Sequence, residues 1–221
     1  MPLSKELSHS ERVRKRKINK FEAKRDELAM SAIHALSEVG YASASLRVIA
    51  RSTAYSHGVF HYYFEDKADL LLHCVLLYKE ECIQRYDGIV ATARDASELR
   101  SQFSDALVTT MREDTVLHRL WYNIRNQALF EPAFRSTVAQ IDANLEAMIW
   151  RIVSRYAQLL ETACPATPRA AYAIFDGLFE RGLLAATVDE KEAGQQLKLD
   201  ACNALDTLFF QASTQQSFQI Y

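Results

Sequence analysis

The sequence predicts an all-α chain of about nine helices, a three-helix N-terminal head followed by a larger helical body. Three observations carry this. The 221 residues hold only 6 Gly and 4 Pro, too few for the turn every ten residues or so that a β-rich chain needs. Apolar side chains recur at three- and four-residue spacing, the period of a helix with one buried face. Three short patterns of this kind, then a long one, crowd the first third of the chain.

The elements follow in order. Residues 1–20 lack apolar periodicity and read as a flexible basic arm. From Phe21 the stripe Leu28, Ala29, Ala32, Ile33, Leu36 and Val39 marks a first helix, and Gly40 is placed to stop it. Ser43 or Ser45 caps a short second helix with Leu46, Ile49 and Ala50 inward and Arg47 and Arg51 outward. A break at Thr53–Tyr55 precedes Ser56, which caps a third helix bearing Val59, Phe60 and Tyr63. The acids of Glu65-Asp66-Lys67 suit the start of a long fourth helix, which carries Leu70, Leu71, Cys74, Val75, Leu77 and Tyr78 and runs to about Tyr86. Beyond Asp87-Gly88, five helices are expected at about 97–112, 115–128, 133–162, 168–187 and 190–212, punctuated by Pro132 and Pro165–Pro168. The implied domains are the arm (1–20), a three-helix head (21–67) and a larger helical body (68–221).

Composition narrows the function. Apolar residues make up 49% and charged residues 24%, ordinary for a globular protein. No apolar run is long enough to span a bilayer, and the N-terminus has no secretory pattern. Cys74, Cys82, Cys164 and Cys202 lack metal-site or disulfide spacing, so reduced cysteines, a cytoplasmic location and no cofactor are expected. The net charge of −2 hides an asymmetry: residues 1–70 hold 12 Lys/Arg against 9 Asp/Glu, the rest 14 against 19. Residues 11–25 alone hold eight basic side chains, Arg12, Arg14, Lys15, Arg16, Lys17, Lys20, Lys24 and Arg25, against two acids. One basic end suggests that one end meets a polyanion.

Leu46–Phe64 meets the demands of a helix-turn-helix: one helix across the phosphates, a sharp turn, and a slender second helix for the major groove. Ala50 is small at the helix crossing, Gly58 permits close approach to DNA, and Phe60 and Phe64 pin the second helix to the head's core.

Gly40-Tyr41, Ile49-Ala50-Arg51, Ser56-His57-Gly58-Val59-Phe60-His61-Tyr62-Tyr63-Phe64 and Lys67 resemble the head of the TetR family of transcriptional regulators. The similarity spans about residues 24–75, and no comparable motif marks the body; Ile174–Phe179 is weakly reminiscent of a dimerisation helix of some members. The sequence departs from the family pattern at the turn, where Thr53-Ala54-Tyr55 replaces Ala-Gly-Val, and at His57 and His61. The resemblance implies phosphate contacts by Arg47, Tyr62 and Lys67. It places Ser56, His57, Gly58, Val59 and His61 at the groove, where hydroxyls and imidazoles bond base edges and Val59 touches a thymine methyl. It further implies a homodimer on a near-palindromic DNA operator, acting as a repressor that a small-molecule effector relieves.

The body offers candidate ligand contacts in Phe103, Met111, His118, Trp121, Tyr122, Arg125, Asn126, Trp150, Phe175 and Phe179, an aromatic wall with a few polar fixtures; the alternative is an ordinary core. The faces Ala171, Phe175, Leu178, Phe179, Gly182, Leu183 and Leu197, Cys202, Leu205, Leu208, Phe209 suit a four-helix dimer interface, or the closing of a monomer's own core. His57 and His61 have the spacing of a metal pair, but Gly58 stands where a zinc protease has its Glu and no third ligand is evident. No enzyme motif is present. A regulator without ligand, or a helical interaction protein with a nucleic-acid- or membrane-binding arm, remain as alternatives.

Overall fold

The computed structural model describes residues 9–39, 45–113 and 115–215, with side chains described over 15–36, 45–113 and 115–209. Among them the regular structure is nine α-helices: α1 (His9–Val39), α2 (Leu46–Arg51), α3 (His57–Tyr63), α4 (Lys67–Thr92), α5 (Ala96–Glu113), α6 (Thr115–Gln127), α7 (Pro132–Leu159), α8 (Pro168–Ala185) and α9 (Glu190–Gln215). The helix stop at Gly40 and the cap at Ser43 lie outside the described residues. The chain divides into two compact units, Met1–Leu77 and Tyr78–Tyr221, so the division falls inside α4 rather than at its start.

The first unit has a core drawn from four helices. Leu28, Ala32 and Leu36 of α1 meet Ile49 of α2, Phe60 of α3, Phe64, and Leu70 and Cys74 of α4, each at most 1% exposed. Arg25 pairs with Asp69 at 2.7 Å and His73 Nε2 with Asp26 Oδ1 at 2.7 Å, fixing α1 against α4. One expectation is corrected here. Residues 9–20, read as a flexible arm, continue α1 toward the N-terminus. Lys, Arg and Glu are good helix formers, so a charged run extends a helix without any apolar stripe. Phe21 anchors it, its ring 4.8 Å from that of Tyr63 and 6.3 Å from that of Tyr62.

In the second unit, α5, α7, α8 and α9 pack around Leu99, Phe103, Ile152, Phe175 and Leu205, all at most 1% exposed. Gly182 lets α8 approach its neighbours closely: a Cβ there would lie 3.3 Å from the Leu197 side chain and 3.4 Å from Met111 Sδ. The break expected at Asp87-Gly88 does not occur. An interior glycine costs a helix only about 1 kcal/mol, and here Tyr86 is buried. Arg151 pairs with Asp87 at 2.7 Å and Arg155 donates to the Ala93 carbonyl at 3.2 Å, holding the last turns of α4 against α7.

Most side chains of the two apolar faces read as dimer surfaces are covered by their own chain, while Leu178 and Leu208 are half-buried. Ala171, Phe175, Phe179, Leu183, Leu197, Cys202, Leu205 and Phe209 are all buried within one chain. Periodicity identifies an apolar face but not what covers it. Apolar side chains left in solvent here are others: Ile174 and Leu184 on α8, Val188 in the turn after it and Leu199 on α9.

Candidate functional site

The head presents α3 as a short helix fixed at both ends. Ser56 caps it, its Oγ accepting from Val59 N–H at 3.4 Å, and Phe60 and Phe64 bury its inner face. The outer face is left open: Ser56, Gly58, His61 and Tyr62 are exposed, Tyr62 by 73%, while His57 and Val59 are half-buried. Arg47, one turn into the Ser45-capped α2, is exposed, and Lys67 opens α4. The structure therefore brings the sequence-predicted DNA-contacting residues onto accessible ends and faces of the first unit.

The turn between α2 and α3 resolves the missing glycine. Glu161 is the one non-glycine residue with positive φ among the described residues, so Ala54 avoids the left-handed region that a glycine would serve. The Thr53 hydroxyl does the holding: Oγ1 donates to the Ala50 carbonyl at 3.1 Å and accepts from Tyr55 N–H at 3.2 Å. Tyr55 then reaches back to Glu27 of α1 through its hydroxyl, with the Lys24 ammonium 4.5 Å from its ring centre.

His57 and His61 stack edge to face, 4.4 Å between ring centres. Desolvation, with His61 and Arg47 nearby, lowers the His57 pKa below its ordinary value, so His57 is neutral above that range. Among the described residues no cluster of three or more His, Cys, Asp or Glu is placed to hold a metal ion.

The second unit encloses a cavity walled by five helices. α6 contributes His118, Trp121 and Tyr122, and α8 contributes Tyr172, Phe175, Asp176 and Phe179. Lys79, Cys82 and Tyr86 come from α4, Leu107 and Thr110 from α5, and Leu145, Met148 and Ile149 from α7. The centre of a water-sized sphere can move over about 50 Å³ inside it, room for a few waters.

Of the candidate ligand contacts, His118, Trp121, Tyr122, Phe175 and Phe179 line this space. The others do not. Phe103 packs behind the wall, its ring 5.1 Å from that of Phe175, and Met111 is buried beside Gly182. Arg125 turns away to Asp176 and Asp142. Asn126 is exposed, and Trp150 lies half-buried along a separate surface groove. A helical stripe leaves its rotation about the axis uncertain, and residues one position off the wall fall behind it or into solvent.

The residue that periodicity missed is Lys79. It opens the run Lys79-Glu80-Glu81, which reads as a solvated charged turn, yet it is 6% exposed. Its Nζ donates to His118 Nδ1 at 3.1 Å and stands 5.8 Å from the Trp121 ring centre. Because Nδ1 accepts, the ring proton of His118 sits on Nε2, 3.0 Å from the Thr110 carbonyl and 2.9 Å from the Tyr78 hydroxyl. Burial pushes Lys79 down to about 8, and burial together with Lys79 holds His118 well below its ordinary value. Each oxygen of Asp176 has a partner by contrast: one accepts from Tyr122 at 3.0 Å and the other from Arg125.

An exposed, capped helix after a tight turn gives the first unit the geometry of a helix-turn-helix, and the second unit is all-helical with a cavity among its helices. Residues 30–74 match the family described as "Bacterial regulatory proteins, tetR family". Over those residues the chain is similar to the TetR family of transcriptional regulators. A curated relative, the HTH-type transcriptional regulator BetI of Ectopseudomonas mendocina, is 22% identical over 182 residues, covering 80% of this chain and 90% of its own. Among solved structures, a TetR transcription regulator from Haloarcula marismortui superposes with a TM-score of 0.67 at 20% identity, over 84% of this chain and 98% of that one. The regulator FadR of Bacillus subtilis, solved in complex with stearoyl-CoA, superposes with a TM-score of 0.58 at 16% identity, over 82% and 95%.

Proposed function

We propose that the chain is a homodimeric repressor that binds a near-palindromic operator and releases it when a small molecule enters the cavity of the second unit. One observation supports this above the rest: α4 is a single unbroken helix that carries Lys67 at its start and Lys79, Cys82 and Tyr86 in the cavity wall. A ligand that prefers one position of those side chains thereby biases the helix on which the head is carried. The neighbour that holds stearoyl-CoA supports ligand binding in this fold, though the cavity here suits a far smaller molecule. Ser56, His57, Gly58, Val59 and His61 read bases, while Arg47, Tyr62 and Lys67 hold phosphates. Residues 9–20 of α1 add a basic side for the DNA backbone. Regulation of operator DNA places its action in the cytoplasm, and no described helix is long and apolar enough to cross a membrane.

The test is selection of bound fragments from genomic DNA, followed by affinity measurements on the recovered operator and a scrambled duplex. His57→Ala is expected to weaken operator binding by about tenfold or more and to leave the scrambled duplex nearly unchanged, the pattern of a base contact. Equal losses on both would reduce His57 to a phosphate contact, and no enriched fragment would defeat the operator reading. Acid should strengthen DNA binding. DNA raises the pKa of the His57 imidazole above its lowered free value, so the gain is full below the free value and fades as pH climbs through the bound one.

A further inference from the structure

The polar inventory of the cavity wall is unbalanced. Lys79 has three N–H donors and one acceptor, His118 Nδ1, and among the described residues no carboxylate lies within ion-pair distance of it. Trp121, fully buried in the same wall, has its indole N–H without a protein acceptor. The acceptors of the wall are spoken for. Asp176 receives Arg125 and Tyr122, the Asp142 carboxylate behind it receives Tyr172 at 2.7 Å, and the Thr110 hydroxyl receives Tyr86 at 3.1 Å. The two residues with spare donors, one of them cationic, line a space whose walls also include Leu145, Met148, Ile149 and Phe175.

We infer that the cavity takes a compact organic monoanion, a carboxylate on a single ring or short apolar chain, with its oxygens on Lys79 Nζ and the Trp121 indole N–H. The inference rests on the reading of this cavity as the effector site and names the effector's chemical class. The charge requirement follows from desolvation: an ammonium held out of water gains most from a full counter-charge, less from a neutral carbonyl. Lys79 is already depressed toward about 8 by its burial, the state that an entering carboxylate relieves. A cation fits poorly, because it would meet the Lys79 ammonium in the wall, and the Trp121 ring already has Lys79 Nζ at 5.8 Å and Arg125 at 6.0 Å from its centre. The small volume selects one ring or a few methylenes over a long acyl chain.

The experiment is isothermal titration of the full chain at pH 7 with three matched sets: benzoate, benzamide and benzylammonium; phenylacetate, phenylacetamide and phenethylammonium; hexanoate, hexanamide and hexylammonium. At least one acid is expected to bind ten times or more tightly than both its amide and its amine. Lys79→Met should abolish that preference, and Trp121→Phe, which keeps the ring's bulk and removes the N–H, should weaken the acid severalfold and the amide less. Circular dichroism and thermal melting of both variants separate lost binding from lost folding. Amide equal to acid, or amine preferred, overturns the anion assignment while leaving the cavity as a ligand site. No heat and no melting shift from any of the nine compounds overturns the anion assignment and also removes support for the effector site. Acid binding that persists in Lys79→Met places the anion elsewhere.

Discussion

Keeping an ammonium away from water works against folding, and at Lys79 the sign and size can be followed. The side chain binds its proton below the ordinary lysine value of 10.5 when unfolded but only below about 8 when folded. Stability therefore falls as pH drops from the first value to the second, and near pH 7 the deficit is about 3 kcal/mol. Lys79→Met removes it but leaves His118 Nδ1 without its donor, a loss of about 1 kcal/mol. The variant is expected to be more stable by about 1–2 kcal/mol at pH 7, measured by urea unfolding, with the advantage gone above pH 10.5. A site that destabilises its own fold in this way is one that function retains. The same lysine sets the pH response of acid binding. Affinity should be full below about pH 8 and fall as pH rises from there toward the higher value that a bound carboxylate gives Lys79. Other titratable groups in or behind the wall are Cys82, Tyr86, His118, Tyr122, Tyr172, Asp176, Asp142, Arg125 and Arg85. His118 is held far below this window by burial, and Tyr86, Tyr122 and Tyr172 are pushed above it, chiefly by burial. Repeating the titration in Cys82→Ser isolates Lys79; an unchanged affinity from pH 7 to 10 would count against it.

Helix starts and stops were the most legible features, because they are written in local chemistry. Ser56 caps α3 and Pro168 opens α8 as the sequence leads one to expect, while Pro132, expected just ahead of α7, is its first residue. What escaped was decided by tertiary partners. Gly88 looks like a stop but sits in a helix held by Arg151 and Arg155, and the N-terminal part of α1 needs no apolar stripe. The end of α7 hides another case. Glu161 takes φ 52°, the left-handed position past the last turn, with Thr162 N–H donating to the Ala157 carbonyl at 3.0 Å. Glycine is the residue suited to that position, and the Glu161 side chain is exposed. Glu161→Gly is expected to raise the unfolding free energy by about 0.5–1 kcal/mol, since relief of strain in the folded state outweighs the freedom glycine gains when unfolded. A lower melting temperature would show that the carboxylate makes a contribution of its own.

For the molecule as a whole, the all-helical class and the head's chemistry could be read from residues whose roles are local: Ser56, Gly58, Phe60 and Phe64. A surface through which two copies would pair could not, because an apolar stripe looks the same whether its own chain or a partner covers it. The structure separates the two. Phe179 and Leu183 lie inside the protomer, whereas Leu184 and Val188 are 72% and 92% exposed at the end of α8. Ile174 and the open Gly177, where an added Cβ would meet nothing within 4 Å, share that outer side of α8. A glycine in the middle of a helix weakens it, and one with open space beside it suits the close approach of a partner's helix. Leu199 supplies an exposed apolar side chain on α9. If pairing uses this outer face, the substitutions divide cleanly. Leu184→Asp and Val188→Asp should leave helix content intact and convert a dimer to a monomer at micromolar concentration in sedimentation, because each carboxylate would be desolvated only in the pair. Phe179→Asp should instead unfold the chain, since its carboxylate would be buried in the protomer itself. A dimer that survives Leu184→Asp combined with Val188→Asp would move the interface off this end of α8.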